Sequence, residues 1–319
     1  MGTAFEVRIP ASIPGSVELA CQALDRIDVL ESQLTVYRED SGVSRINRVA
    51  HLEPVFAEKG LFHLLETASR ISHETGGKYD VTSGALSLAW GFTRGPKRVP
   101  TNEERLDALS RTGMSHLSLD ATNQTVAFDC QGVGLNFGSI GKGYAIDEAA
   151  RLVAEYPWPT SALIHGGNSS VFALGSPPGS LGGRWQVSLR NPFDPSRPLG
   201  EFALRNRGLG TSGAVFQQFQ SGGKSYGHII DSQTGFPPEE GPVSVSVLAP
   251  TAAEADALST AFYLMGIEAT SNFLTSRPEI AAIFVMNADN RRPPRIVLQN
   301  IDPADFSLDP TVHLAIASH

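Results

Sequence analysis

Cysteine is nearly absent: Cys21 and Cys130 stand alone among 319 residues. No C-x-x-C occurs, which excludes a cysteine-based zinc site and a disulfide framework. Cys21 falls in an amphipathic helical pattern and Cys130 at the end of an expected strand. Both read as small buried residues, with one disulfide between them left open. Basic blocks are missing too, and the formal net charge is −8. That argues against a general nucleic-acid or anionic-membrane surface, though an anionic small molecule could bind through a few local donors. No segment is long and apolar enough to span a membrane. The opening "MGTAFEVRIPASIPG" lacks a basic stretch followed by an apolar run, since Glu6, Arg8 and two prolines interrupt it. It does not read as a signal peptide. As written the protein is expected in the cytoplasm. A chain already trimmed of an export signal would look the same and would work in the periplasm.

The common nucleotide and hydrolase motifs also fail. "GLNFGSIGKGY" resembles a phosphate loop, but Asn136 stands where its first glycine belongs and Gly143 where Ser or Thr must follow Lys142. The dinucleotide fingerprint begins with Gly132 and Gly134 and breaks at Phe137. "GTSGA", residues 210–214, misses the nucleophile elbow because it ends in alanine. "HETGG" at His73 is not H-E-x-x-H.

What is present is an ordinary globular composition, 41% hydrophobic and 18% charged, in one large domain or two intertwined lobes. "TAFEVRIP" alternates like a strand. "SVELACQALDRIDVLESQL" reads as a helix with Leu19, Leu24, Ile27, Leu30 and Leu34 on one side. "EKGLFHLLETASRISHET" is a second helix, stopped by Gly76-Gly77, and "TNEERLDALSRTG" a third, with a capping box at Thr101 and Glu104. "YAIDEAARLVAEY" is another. Strands follow in "HLSLD", "TVAFD", "SALIH", "RWQVSLR", "EFALR", "SVSVLAP", "IAAIFVMN" and "RIVLQ". Helices cluster early and strands late, without βαβ alternation, which favours an α+β fold with largely antiparallel sheets. "GSPPGSLGG" reads as a surface loop and the tail after Ile301 as peripheral.

Four stretches carry candidate chemistry. In "TAAEADALSTAFYLMG", Thr251 and Glu254 form a T-x-x-E capping box, so a helix starts at Ala252. It then carries Asp256 and Thr260, weak helix formers four residues apart on one face. A hard carboxylate and a hydroxyl suit magnesium; taken alone, such a pair more often makes only a local hydrogen bond. Gly141-Lys142-Gly143 precede a helix beginning near Tyr144, so backbone N–H groups and Lys142 could meet an anion, or form a plain tight turn. "HGGNSS", residues 165–170, follows a strand and reads as a β-turn that lets the backbone approach something closely. In "YGHIIDSQTGFPP", Tyr226, His228 and Ile230 alternate as on a strand that runs into a turn. His228 beside Asp231 is a possible general base, although a lone strand histidine is more often structural.

Together these pieces resemble the ApbE family, the FAD:protein FMN transferases. The resemblance runs from "MGTAF" to "STAFYLMG", through "LTVYREDSGVSRIN", "GGKYDVTSGALSLAWGF", "GSIGKGYAID", "HGGNSS", "GTSGA", "GHIIDSQTGFP" and "EADALSTAFYLMG" in family order. It implies a T-fold-like α+β domain of antiparallel sheets flanked by helices, a single FAD-binding catalytic domain over 1–300 with a peripheral tail over 301–319. It implies transfer of FMN from FAD to a threonine of a partner flavoprotein, whose acceptor motif resembles Ser-Gly-Ala-Thr, with release of AMP. Asp256 and Thr260 then fall on metal-ligand positions, with the Gly141 carbonyl as a third ligand to Mg2+. His228 would take the threonine proton, and Asp231 would orient it or hold the turn. FAD-binding positions fall on Met1, Tyr37, Lys78, Tyr79, Asp80, Gly138, Tyr144 and Ile230, joined by Lys142 and by the hydroxyls of Thr211 and Ser212. Tyr37 and Tyr79 would pack on the rings of FAD.

Two departures stand out: Asn136 where the family often has Asp, and Ser232-Gln233 where Pro-Arg is common. "DVTSGAL" faintly resembles an acceptor motif, but Leu86 replaces the acceptor threonine. Two alternatives stay open: an FAD pyrophosphatase giving FMN and AMP, and a flavin-binding or storage protein without turnover.

Overall fold

The computed structural model describes residues 3–158, 160–213, 217–288, 293–312 and 314–318, with strands β1–β16 and helices α1–α7 numbered along the chain. Two compact units form. One takes Met1–Val29, Lys142–Gly213 and Pro242–His319; the other takes Leu30–Gly141 and Ala214–Gly241.

The first unit is built on an eight-stranded sheet. Its order is β1 (Phe5–Arg8), β5 (Ala162–Gly166), β6 (Ser170–Leu174), β9 (Arg207–Ser212), β12 (Pro242–Ala249), β13 (Ala281–Met286), β14 (Arg295–Gln299) and β16 (Ala315–Ser318). A three-stranded sheet runs β15 (Phe306–Leu308), β8 (Pro198–Leu204), β7 (Trp185–Arg190). Among the described residues every strand pairing is antiparallel except β14 with β16. Leu163, Leu209, Ile283 and Val285 of the large sheet meet Leu189, Phe202, Leu204 and Phe306 of the small one in a single apolar core. On the large sheet, α7 (Ala252–Ser276) packs along β9 and β12. It is two helical pieces joined at Gly266, whose φ of 73° no other residue type adopts easily. Next to it lies α6 (Gly141–Ala154), and α1 (Ser16–Leu34) is tied to α6 by the ion pair Arg26–Glu148.

The second unit holds α2 (Gly42–Val49), α3 (Lys59–Glu74), α4 (Gly84–Ala89) and α5 (Asn102–Leu109). Beside them runs the sheet β2 (Val55–Phe56), β4 (Thr125–Phe128), β3 (Leu117–Asp120). Leu61, Leu64, Leu65, Ala68 and Ile71 give α3 one buried face at helical spacing. Gly76 and Gly77 end it with positive φ, and the expected capping box of α5 is complete. A hairpin, β10 (Gln218–Ser221) and β11 (Lys224–Gly227), turns at Gly222-Gly223, both with positive φ, as a two-residue hairpin turn requires. Trp90 is fully buried, donates Nε1–H to the Gly235 carbonyl at 2.9 Å, and packs on Tyr226, Phe219 and Phe236. Trp90→Ala removes that ring and strands the carbonyl; it is expected to cost about 3–5 kcal/mol, read as a lower urea midpoint at unchanged m-value.

Several expectations need correction. The tail after Ile301 is not peripheral: it supplies β15 and β16, and Phe306 sits in the core. Cys21 is exposed and Cys130 half-buried, and both are free thiols. On α1 the buried stripe uses Ala23 where Leu24 was expected. Among the described residues no helix is long and apolar enough to cross a membrane.

Candidate active site

The first turn of α7 is held from three sides. Thr251 Oγ1 accepts from the Glu254 N–H at 3.1 Å. The Glu254 carboxylate pairs with Arg277 at 2.8 Å, so the expected capping box closes on its threonine side. The next orphan donors, the N–H groups of Ala252 and Ala253, are each accepted at 2.8 Å by a carboxylate oxygen of Asp147 of α6. Burial pushes the Asp147 carboxyl up to about 7, against the pull of those two bonds, and the Asp256 charge adds to the rise. Close approach is possible because Gly143 on α6 and Gly210 on β9 lack side chains. A Cβ on either would collide with the α7 backbone, at Ala252 and Ala255 respectively.

One turn into α7, Asp256 is 3% exposed. Its Oδ1 accepts from Ser170 Oγ at 2.9 Å, and its Oδ2 accepts from the Gly143 N–H at 3.2 Å. Lys142 Nζ lies 3.3 Å from Oδ2. Gly141, Lys142 and Gly143 form the first turn of α6 instead of preceding it. The helix start that looked ready for an external anion thus faces the protein's own carboxylate. Two stretches 114 residues apart in the chain, the glycine-lysine turn and the Asp-Thr pair, make one site.

Thr260 Oγ1 lies 3.0 Å from Ser212 Oγ, which is 2.8 Å from Ser259 Oγ. Strand alternation places Thr211 on the opposite face of β9, where its hydroxyl meets Ser246 at 2.9 Å. That separates Thr211 from Asp256 and corrects the phosphate role expected for it. Tyr144 is buried on α6 at 8% exposure.

In the second unit, Asp231 pairs with Lys78 at 2.7 Å, and its Oδ1 accepts from the Gln233 N–H at 2.9 Å. Its backbone N–H donates to the Phe236 carbonyl and its carbonyl accepts from Gly235, so Asp231 holds the turn. His228 lies just past the end of β11, not on the strand. Its Nδ1 is 3.2 Å from the Gln217 carbonyl, an acceptor only, so this contact calls for a proton on Nδ1. Asp80 accepts from the backbone N–H and the hydroxyl of Thr82, while burial raises its pKa. It lines a cavity of about 500 Å3 with Gly76, Gly77, Ser232 and Gln233. The Ser232-Gln233 departure from the family pattern binds the turns together there: Ser232 Oγ donates to the Gly77 carbonyl and Gln233 Nε2 to that of Gly76. At the other departure, Asn136 accepts from the N–H of exposed Gly138 at 2.9 Å. Ile230 is half-buried and Tyr37 is 63% exposed, leaving its ring open. Tyr79 is 1% exposed, so its ring offers no face for stacking on a flavin, contrary to expectation. Met1 lies outside the described residues.

Sequence reasoning missed Asp147, Ser170 and Ser259 as parts of the site. Ser170 closes the "HGGNSS" turn that was read only as a turn. Asp147 had one signal: it stands four residues after Gly143, on the face where a glycine marks close packing.

In this α+β fold the start of α6 is pressed against a buried carboxylate that also meets a serine hydroxyl and a lysine ammonium. The chain belongs to the ApbE family, whose pattern it matches over residues 1–284. The FAD:protein FMN transferase of Escherichia coli K12 is 30% identical over 291 residues, covering 88% of this chain and 81% of that protein. That of Treponema pallidum is 30% identical over 301 residues, covering 89% and 82%. The crystal structure of the ApbE protein of Thermotoga maritima aligns with TM-score 0.82 at 27% identity, covering 89% of this chain and 91% of that one. The flavinyl transferase ApbE of Pseudomonas stutzeri aligns with TM-score 0.78 at 29% identity, covering 91% and 89%.

Proposed function

We propose that this protein transfers FMN from FAD to a threonine hydroxyl of a partner protein and releases AMP, with Mg2+ at Asp256 and Thr260. The observation that carries the reading is the Asp256 carboxylate, buried against a serine hydroxyl and a backbone N–H with a lysine ammonium as its cation. A buried carboxylate needs a positive partner. The three ligands the reading assigns, the Asp256 carboxylate, the Thr260 hydroxyl and the Gly141 carbonyl, would all offer oxygen, the chemistry magnesium takes. When bound, the ion would neutralise the pyrophosphate of FAD and stabilise charge on the departing AMP.

The chain's own residues would do the rest. Lys142 and Ser212 offer donors to phosphate oxygens. Lys78, Asp80, Gly138, Tyr144, Ile230 and the open ring of Tyr37 would hold the remainder of FAD. His228 Nε2 would accept the threonine proton as Oγ attacks the FMN phosphorus and the bond to the AMP oxygen breaks.

The test is the intact mass of a short acceptor peptide ending in Ser-Gly-Ala-Thr after incubation with the protein, FAD and Mg2+. A gain of one FMN phosphoester, lost in chelator, is expected. Free FMN and AMP with an unmodified peptide would make the protein a pyrophosphatase. Bound, intact FAD over many hours would leave it a flavin carrier.

A further inference from the structure

The antiparallel pair β3 and β4 brings Leu117 opposite Phe128, and the register continues to His116 and Asp129, where the Asp129 N–H donates to the His116 carbonyl. Cys130 follows Asp129 directly. His116 Nδ1 lies 2.7 Å from Asp129 Oδ1, and Cys130 Sγ lies 3.7 Å from the same nitrogen. All three ligand atoms fall within 4.8 Å of one another. We infer that His116, Asp129 and Cys130 form a binding site for a borderline-soft divalent cation of the zinc type, with water as fourth ligand.

The argument is first one of distance. Zinc bonds of about 2.0 Å to nitrogen and oxygen and about 2.3 Å to sulfur give tetrahedral edges of roughly 3.3–3.6 Å. The sulfur–nitrogen separation already stands close to that edge. The nitrogen–oxygen contact needs to open by roughly 0.6 Å, as it does when an ion replaces the proton the two atoms share. Access is right as well: the His116 side chain is 24% exposed and that of Asp129 61%, so an exchangeable water can complete the shell. The donor set then chooses the ion. One imidazole, one thiolate and one carboxylate suit zinc and disfavour magnesium, which wants oxygen alone. A reactive nucleophile is the rival use of a Cys-His pair, and the environment opposes it. Burial and the adjacent Asp129 carboxylate raise the Cys130 pKa, so the group stays a thiol until a cation displaces its proton. This corrects the exclusion of a cysteine-based zinc site drawn from the missing C-x-x-C, which removes only sites built on paired cysteines, whereas this one uses a single thiolate beside a histidine and a carboxylate. It shares no residue with the site at Asp256.

The test is titration of the metal-stripped full chain with Co2+ alone, in a large excess of Mg2+. A thiolate-to-cobalt absorption band saturating at one equivalent and reversed by Zn2+ is expected. Cys130→Ser and His116→Ala should each weaken binding at least roughly tenfold, since even outer-shell changes cost that much. Cys21→Ser should change nothing. Absence of the band in the wild type, or its survival in Cys130→Ser, overturns the site. Should a variant fail to fold, alkylation of the wild type decides. Zn2+ but not Mg2+ should protect Cys130 from iodoacetamide, read by peptide mass, and equal labelling in both overturns the inference.

Discussion

Asp256→Asn is expected to reduce flavin transfer by roughly 10²–10³-fold or more while the protein stays folded. Asparagine keeps the shape of the carboxylate and one oxygen that can still accept from Ser170 or Gly143. It removes the charge that faces Lys142 and would face a divalent ion. The ammonium left behind retains 18% exposure, so water relieves part of the cost of its lost partner. Asp256→Ala is a harsher change, because Ser170 Oγ and the Gly143 N–H would both lose their acceptor. Chelator should impose a similar loss on the wild type and add little to the loss in Asp256→Asn. AMP release in single turnover, with Mg2+ affinity measured calorimetrically, reads both effects. Wild-type turnover in Asp256→Asn would end the cation reading of this site.

Asp147→Asn is expected to flatten the pH dependence of stability. The folded-state pKa of about 7 lies above the ordinary carboxyl value of about 4 in an unfolded chain. Between those values the native protein holds a proton that the unfolded chain has released. Stability from this group is therefore lost as pH rises from about 4 to about 7, by an amount of order a few kcal/mol, and is level outside that window. Asparagine stays neutral throughout and still offers an acceptor to the start of α7. Denaturation midpoints of both proteins at pH 5, 6, 7 and 8, in chelator, should diverge in favour of the variant as pH rises. Parallel curves would mean that Asp147 titrates normally.

The α+β class and most strands were readable because their patterns are local: "TVAFD" and "IAAIFVMN" alternate or run apolar whatever lies above them. β9 was missed for the opposite reason. Two of the six residues in its "RGLGTS" are glycine because α7 lies against it, and the collision of a Gly210 Cβ with Ala255 shows what the glycine is for. Packing chose those residues, and packing erased the strand signal. The tail was misread likewise, since one phenylalanine, Phe306, gains its meaning from β8 across a sheet. At the site, Asp256 and Thr260 were visible as poor helix formers inside a helix. Asp147 is equally misplaced by propensity, but its partners, the first N–H groups of α7, are 105 and 106 residues away. No local pattern reports such a partner. The burial of Tyr79 was hidden too, because an aromatic residue beside Asp80 looks the same whether it faces a ligand or the core.

The first unit is assembled from three separated stretches of chain, and this bears on the order of events during synthesis. Ser170 and Lys142 leave the ribosome well before Asp256, with 86 and 114 residues between them and it. At roughly 5–20 residues per second, the lysine waits several seconds for its carboxylate. Until then β9 has no β12 beside it and no α7 across it, so the glycines at 208 and 210 lie under nothing. Loop-closure entropy rises only with the logarithm of that separation, so the delay is set more by translation than by the search. The contacts of Asp256 with Ser170 and Lys142 thus form late, and a stalled nascent chain shorter than that would carry the lysine without the acid it answers to.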